Sequence, residues 1–125
     1  MERERIDTDG APRPAGPYSQ AIRAGGFLFL AGQGPNTPQG ERPDTFEGCV
    51  EQCFRNLEAV AKAGGGDLSD AVRVGVFLRD MKDFAVLNEV YKRHFSEPFP
   101  ARTTIQSELP GFPVEIDAVI ALREA

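Results

Sequence analysis

Histidine and cysteine are scarce in this chain, and their scarcity closes several chemical routes. The 125 residues contain one histidine, His94, and two cysteines, Cys49 and Cys53. A zinc site needs several such ligands at set spacings, and a redox pair needs Cys-x-x-Cys; neither pattern is present. Four residues apart, the two cysteines read as small buried hydrophobes on one helix. His94 falls near the C-terminal end of a predicted helix, where it is well placed against the dipole, and reads as structural. Positive charge is also short, with 14 Lys and Arg against 19 Asp and Glu. No basic stripe of the kind that phosphate contact requires is visible, so no nucleic-acid partner is expected. A small anionic substrate stays compatible, because it needs only one local positive site. No apolar run approaches membrane-spanning length, and the opening MERERIDTDG lacks the apolar core of a signal peptide. The expectation is a cytoplasmic protein with no membrane partner.

What is present has the makings of a single α+β domain over residues 1–125, at 41% hydrophobic and 26% charged. A short edge strand is predicted over 3–7, and proline-rich loop over 11–17. Strands follow over 18–23 and 27–31, joined by a hairpin turn at Gly25-Gly26. The clearest helix runs from Asp44 to Ala63, with Phe46, Val50, Cys53, Leu57 and Val60 forming one apolar stripe. Asp44 with Glu47 resembles a capping box, and Gly64-Gly65-Gly66 ends the helix. A strand then carries Val72, Val74, Val76 and Leu78 on one face. A second helix spans Met81 to Phe95, with Phe84, Leu87, Tyr91 and Phe95 inward and Asp80 or Asp83 as cap. Strands over 102–108 and 114–123 complete the order β-β-β-α-β-α-β-β, with both helices on one face of the sheet. Phe77 and the Arg102 and Glu115 positions are expected on the opposite face, part of it meeting water and part another subunit.

Several motifs fail on their surroundings. Gly32-Gln33-Gly34 follows a strand like a dinucleotide loop, but Pro35 and Pro38 follow and no helix begins there. Ser19, Thr103 and Thr104 have no base beside them, so a serine-type triad is unsupported. The stretch from Pro100 to Ala118, PARTTIQSELPGFPVEIDA, carries more information. Alternation puts Arg102 and Thr104 on one face of their strand, and Glu115 and Asp117 on the polar face of theirs. Two readings fit Arg102 and Glu115. Both are charges on a wet sheet face, or the arginine fork captures a small carboxylate while the glutamate handles a proton or a water. Local spacing does not choose between them. Tyr18, where the proline-rich loop enters a strand, fits either a packed edge or a pocket lid. Asn88, one residue off the apolar stripe of the second helix, fits a solvated position.

Wider motifs add to this. Gly16-Pro17-Tyr18-Ser19-Gln20-Ala21, Phe29-Leu30-Ala31-Gly32-Gln33, Asn56-Leu57, Phe77-Leu78-x-Asp80-x-x-Asp83-Phe84, Asn88-x-x-Tyr91, Pro100-Ala101-Arg102 and Val114-Glu115-Ile116-x-Ala118 occur in that order. In order and spacing, over nearly the whole chain, they resemble the RidA/YjgF family of enamine/imine deaminases. The resemblance implies a chorismate-mutase-like α+β fold with a six-stranded sheet, and a homotrimer with sites in the clefts between subunits. It implies hydrolysis of 2-aminoacrylate and related 2-imino acids to 2-keto acids and ammonia, with no metal or organic cofactor. Arg102 matches the family arginine that holds the substrate carboxylate, and Glu115 the glutamate near the attacking water. Tyr18 matches the pocket tyrosine and Asn88 the cleft asparagine. Two further substrate-binding positions depart from the pattern: Ala31 stands where the archetype has serine, and Thr104 where many members have cysteine. A non-catalytic trimeric binder of small carboxylates is the alternative, and a ribonuclease or translation inhibitor a more distant one.

One geometric expectation follows. In a plain hairpin about Gly111, Glu115 would face Ser107, and Arg102 would lie roughly 16 Å further along the strand. The two therefore share a site only across a subunit boundary, or else their strands are not simple hairpin partners.

Overall fold

The computed structural model describes residues 1–123. Its elements are β1 (Glu4–Ile6), β2 (Ala21–Ala24), β3 (Phe27–Gln33), α1 (Phe46–Ala63), β4 (Ala71–Leu78), α2 (Phe84–Tyr91), β5 (Ala101–Gln106) and β6 (Val114–Ala121). The predicted order is therefore found. The six strands form one sheet in the order β1-β2-β3-β6-β4-β5. The two-residue turn between β2 and β3 uses Gly25 and Gly26 at φ +58° and +84°, values only glycine adopts readily.

Alternation builds the core. On β6, Val114, Ile116, Ala118 and Ile120 are buried toward the helices, together with Leu28 and Leu30 of β3 and Val74, Val76 and Leu78 of β4. Val50, Cys53, Leu57 and Val60 of α1 close over them, as their spacing predicts. Burial pushes both cysteine thiols up, Cys53 well above its usual range, in keeping with a structural role. His94 is also structural. Its Nε2 lies 2.7 Å from Glu51 Oε1 and its ring stacks on Phe54 at 4.4 Å.

The structure corrects several expectations. The cap of α1 is Thr45, whose hydroxyl accepts from the Gly48 N–H, and not Asp44. The second helix is shorter than its apolar pattern: Met81–Asp83 is a 3-10 turn capped by Asp80, and α2 proper runs from Phe84 to Tyr91. Val72 faces outward, because the register shifts between Ala71 and Arg73 and puts Ala71 in the core instead. Tyr18 precedes β2 and is not part of it.

The largest difference concerns the last two strands. They are not paired with each other. β4 lies between them, antiparallel to β6 and parallel to β5. Arg102 pairs with Val74, a core-facing residue, so it points to the helix side and not to the open face expected for it. Glu115 pairs with Phe77 on the open side.

Candidate active site

Two clefts, one on each side of the sheet, collect four of the six predicted site residues, Arg102 and Asn88 in one and Glu115 and Tyr18 in the other. The first lies between α2 and β5, has a volume of about 440 Å³, and is lined by Asn88, Tyr91, Phe99 and Arg102 among others. The parallel pairing of β5 with β4 turns Arg102 toward α2. Its guanidinium then sits 4.7 Å from the Tyr91 ring centroid and 5.6 Å from that of Phe84. Such faces hold a cation in place without neutralising it. Among the described residues Arg102 has no carboxylate partner. Its fork is therefore available to an anion, in the planar geometry that a carboxylate matches. Two residues further along the same face, the Thr104 hydroxyl is buried without a partner, as is the Tyr91 hydroxyl. Thr104 sits beside this cleft and does not line it.

The second cleft opens on the other side, with a volume of about 400 Å³, and is lined by Tyr18, Gly32, Pro35, Phe112 and Glu115 among others. A register shift between Leu30 and Gln33 bends β3 where it pairs with β6. Gly32 falls in that bend, under the Glu115 side chain. A Cβ there would lie 2.5 Å from Glu115 Oε2, so only glycine lets the carboxylate lie flat on the sheet. Burial first, and the nearby Asp117 charge second, push the Glu115 carboxyl above the usual glutamate range. A carboxyl so placed gives and takes a proton more readily near neutral pH than an exposed one. Tyr18 is held at the mouth by the Ala15 N–H, which donates to its hydroxyl at 3.1 Å. Ala31 adjoins Gly32 on β3 without lining either cleft.

The structure therefore brings Arg102 together with Asn88, and Glu115 together with Tyr18, but keeps the two pairs apart. Their partners on β4, Val74 and Phe77, are three residues apart, an odd number that sends the side chains to opposite faces. Two strand spacings and three residues of rise separate the Cα atoms by about 14 Å. Sequence reasoning missed Gly32, dismissed with the failed phosphate loop, because its role depends on a bulge opposite another strand. It also missed Tyr91 as the platform for Arg102, although a core aromatic eleven positions before an arginine carries no local signal.

Comparison with known proteins agrees with the fold. The family model described as endoribonuclease L-PSP matches residues 8–122. A RutC family protein of Pyrococcus horikoshii is 46% identical over 125 aligned positions, covering 94% of this chain and 96% of its own. A 2-iminobutanoate/2-iminopropanoate deaminase of the mite Dermatophagoides farinae is 40% identical, covering 94% of this chain and 95% of its own. The crystal structure of RidA from an Antarctic Psychrobacter superposes with a TM-score of 0.91 at 41% identity, covering 96% of this chain and all of that one.

Proposed function

The chain belongs to the endoribonuclease L-PSP family, the RidA/YjgF group, and from that premise we propose that it hydrolyses 2-imino acids and their enamine tautomers to 2-keto acids and ammonia. One observation carries the reading: an arginine with no anionic partner among the described residues, held against aromatic rings in a cleft of substrate size. A 2-imino acid offers a carboxylate for that fork and an electrophilic C=N carbon beside it. Arg102 fixes the carboxylate, and with it the orientation of the carbon. Water held by Glu115 adds to the carbon and passes a proton to the carboxylate. The glutamic acid then protonates the nitrogen to give a carbinolamine; Glu115 next takes the hydroxyl proton and returns it to the amino group, so that the C–N bond breaks, ammonia leaves and the oxygen becomes the keto group. Because Arg102 and Glu115 lie on opposite faces of one chain, the site in this reading is assembled from two subunits of a homotrimer. Tyr18 and Asn88 enclose the substrate from either side.

A second reading, a non-catalytic binder of small carboxylates, is favoured by one observation. Arg102, Asn88 and Tyr91 form a complete cradle without Glu115. The two are separated by following keto-acid release from imino acids generated in situ by an amino-acid oxidase, with semicarbazide as competing trap. The deaminase reading expects acceleration by wild type, at least ~100-fold less with Arg102→Ala, and a loss of about 100-fold or more with Glu115→Gln. No acceleration with any side-chain length would leave the binder.

A further inference from the structure

We propose that Arg42 is a specificity-determining positioning residue, a strap whose two hydrogen bonds set the width of the Glu115 cleft and hence the side-chain length of the imino acid accepted. The inference rests on the deaminase reading and adds to it a discrimination among substrates. The cleft wall facing Tyr18 is made by two loops distant in sequence. One, between β3 and α1, contributes Gly34, Pro35 and Asn36; the other, between β5 and β6, contributes Pro110 and Phe112. The first loop is anchored from inside. Asn56 is fully buried, its Nδ2 donates to the Gly34 carbonyl at 3.2 Å and the Asn36 carbonyl at 2.8 Å, and its Oδ1 accepts from Gln52 at 3.0 Å.

The second loop is tied to the end of β4 at its two ends, where the Ser107 N–H donates to the Leu78 carbonyl at 2.9 Å and the Arg79 N–H to the Pro113 carbonyl at 3.0 Å, and its tip stands between them. The Phe112 ring faces Gly34, where an added Cβ would lie 3.7 Å from it, and among the described residues the tip carbonyl of Gly111 is reached only by Arg42. Arg42 Nη1 donates to that carbonyl at 2.6 Å, while its Nε donates to Asn36 Oδ1 at 3.0 Å. One guanidinium thus ties the tip of the second loop to the wall anchored by Asn56, using the fixed spacing of its fork. Arg42 is exposed, and no carboxylate of the described residues competes for it.

The apolar groups on the walls so tied are Pro35, Pro110 and the Phe112 ring. They suit the apolar side chain of an aliphatic 2-imino acid, whose carboxylate goes to Arg102. An apolar wall discriminates one methylene by roughly 10- to 200-fold, but only if it does not yield. Without the strap, Phe112 can swing from Gly34 and the preference flattens.

The test compares wild type and Arg42→Ala on imino acids with one- to four-carbon unbranched side chains. The matching 2-keto acids are titrated in parallel by calorimetry. Arg42→Ala is expected to bring the ratio of kcat/KM between best and worst substrate at least fivefold closer to unity, through KM more than kcat, with the keto-acid affinities converging likewise. A ratio within twofold of wild type, with wild type active, would overturn the strap and leave the deaminase standing. If wild type is inactive but binds keto acids, unchanged relative affinities in Arg42→Ala overturn the strap, and convergence supports it. A wild type that neither turns over nor binds would overturn both readings together.

Discussion

Glu115 keeps its place because a side chain is missing beneath it. Gly32 is required there by close approach, and Gly32→Ala forces the carboxylate to swing off the sheet. Since the atom displaced is the end of a flexible side chain, the fold should survive. The variant is expected to melt within a few degrees of wild type while losing roughly 10- to 100-fold in kcat, the scale of a misplaced proton-handling group. An intact kcat in that variant would remove Glu115 from the chemistry. The same residue leaves a mark on stability. Its carboxyl is raised above the unfolded value, so the unfolded chain releases that proton first as pH rises. The contribution is complete below about pH 4.3, the unfolded glutamate value, and is lost as pH climbs through the higher folded one. Glu115→Gln should therefore match wild type in thermal stability at pH 4. At pH 7 it should exceed wild type, by a margin that opens as pH climbs from 4 and is damped by the partial exposure of the group. A melting-temperature difference that does not grow with pH would contradict the burial assigned to this group. Arg102 and Glu115 drew notice in the sequence as charges in a β-prone stretch, but the family resemblance and not their spacing suggested site roles for them. Gly32 and Tyr91 were not legible as site residues, because a bulge and a ring platform exist only once distant segments meet.

Periodicity located each element, and what it could not show was the end of a helix or the neighbour of a strand. The stripe from Val50 to Val60 fixed α1 and its buried face. Its first turn was ambiguous, because Asp44 and Thr45 are both good caps and a difference of one residue in backbone geometry decides between them. Thr45 has the extended conformation and the bond to Gly48. Thr45→Ala is thus expected to cost about 1 kcal/mol in chemical denaturation, and Asp44→Ala no more than a few tenths, the reverse of what a capping box at Asp44 implies. The position of β4 was illegible for a different reason. Proline and glycine between β5 and β6 suggest a hairpin, but Leu109 to Pro113 lead the chain past β4, which pairs with both strands. Alternation states which face a residue uses and is silent about which strand it uses it beside. That silence put Arg102 on the wrong face, because the helix side of an edge strand is covered only by α2 and admits a charge.

At the scale of the molecule, one chain turns its two clefts away from each other, and the proposed deaminase uses each as half of a site. The open face between them carries exposed Phe27, Phe29 and Ile105, apolar surface of the kind that subunit contact covers. If Arg102 of one copy meets Glu115 of the next, neither variant alone is active but a mixture is. In a trimer assembled at random from equal amounts of Arg102→Ala and Glu115→Gln chains, a site is intact when its arginine comes from the second variant and its glutamate from the first. Each condition holds half the time, so about one quarter of wild-type activity should return after co-refolding, from two inactive parents. The assembly should sediment at three times the 13.6 kDa chain mass. A site contained within one chain would give no recovery at any mixing ratio, since every chain then carries its own lesion. The experiment measures the 14 Å separation and the opposed faces by their consequence: complementation is possible only if the sheet divides the site between two molecules.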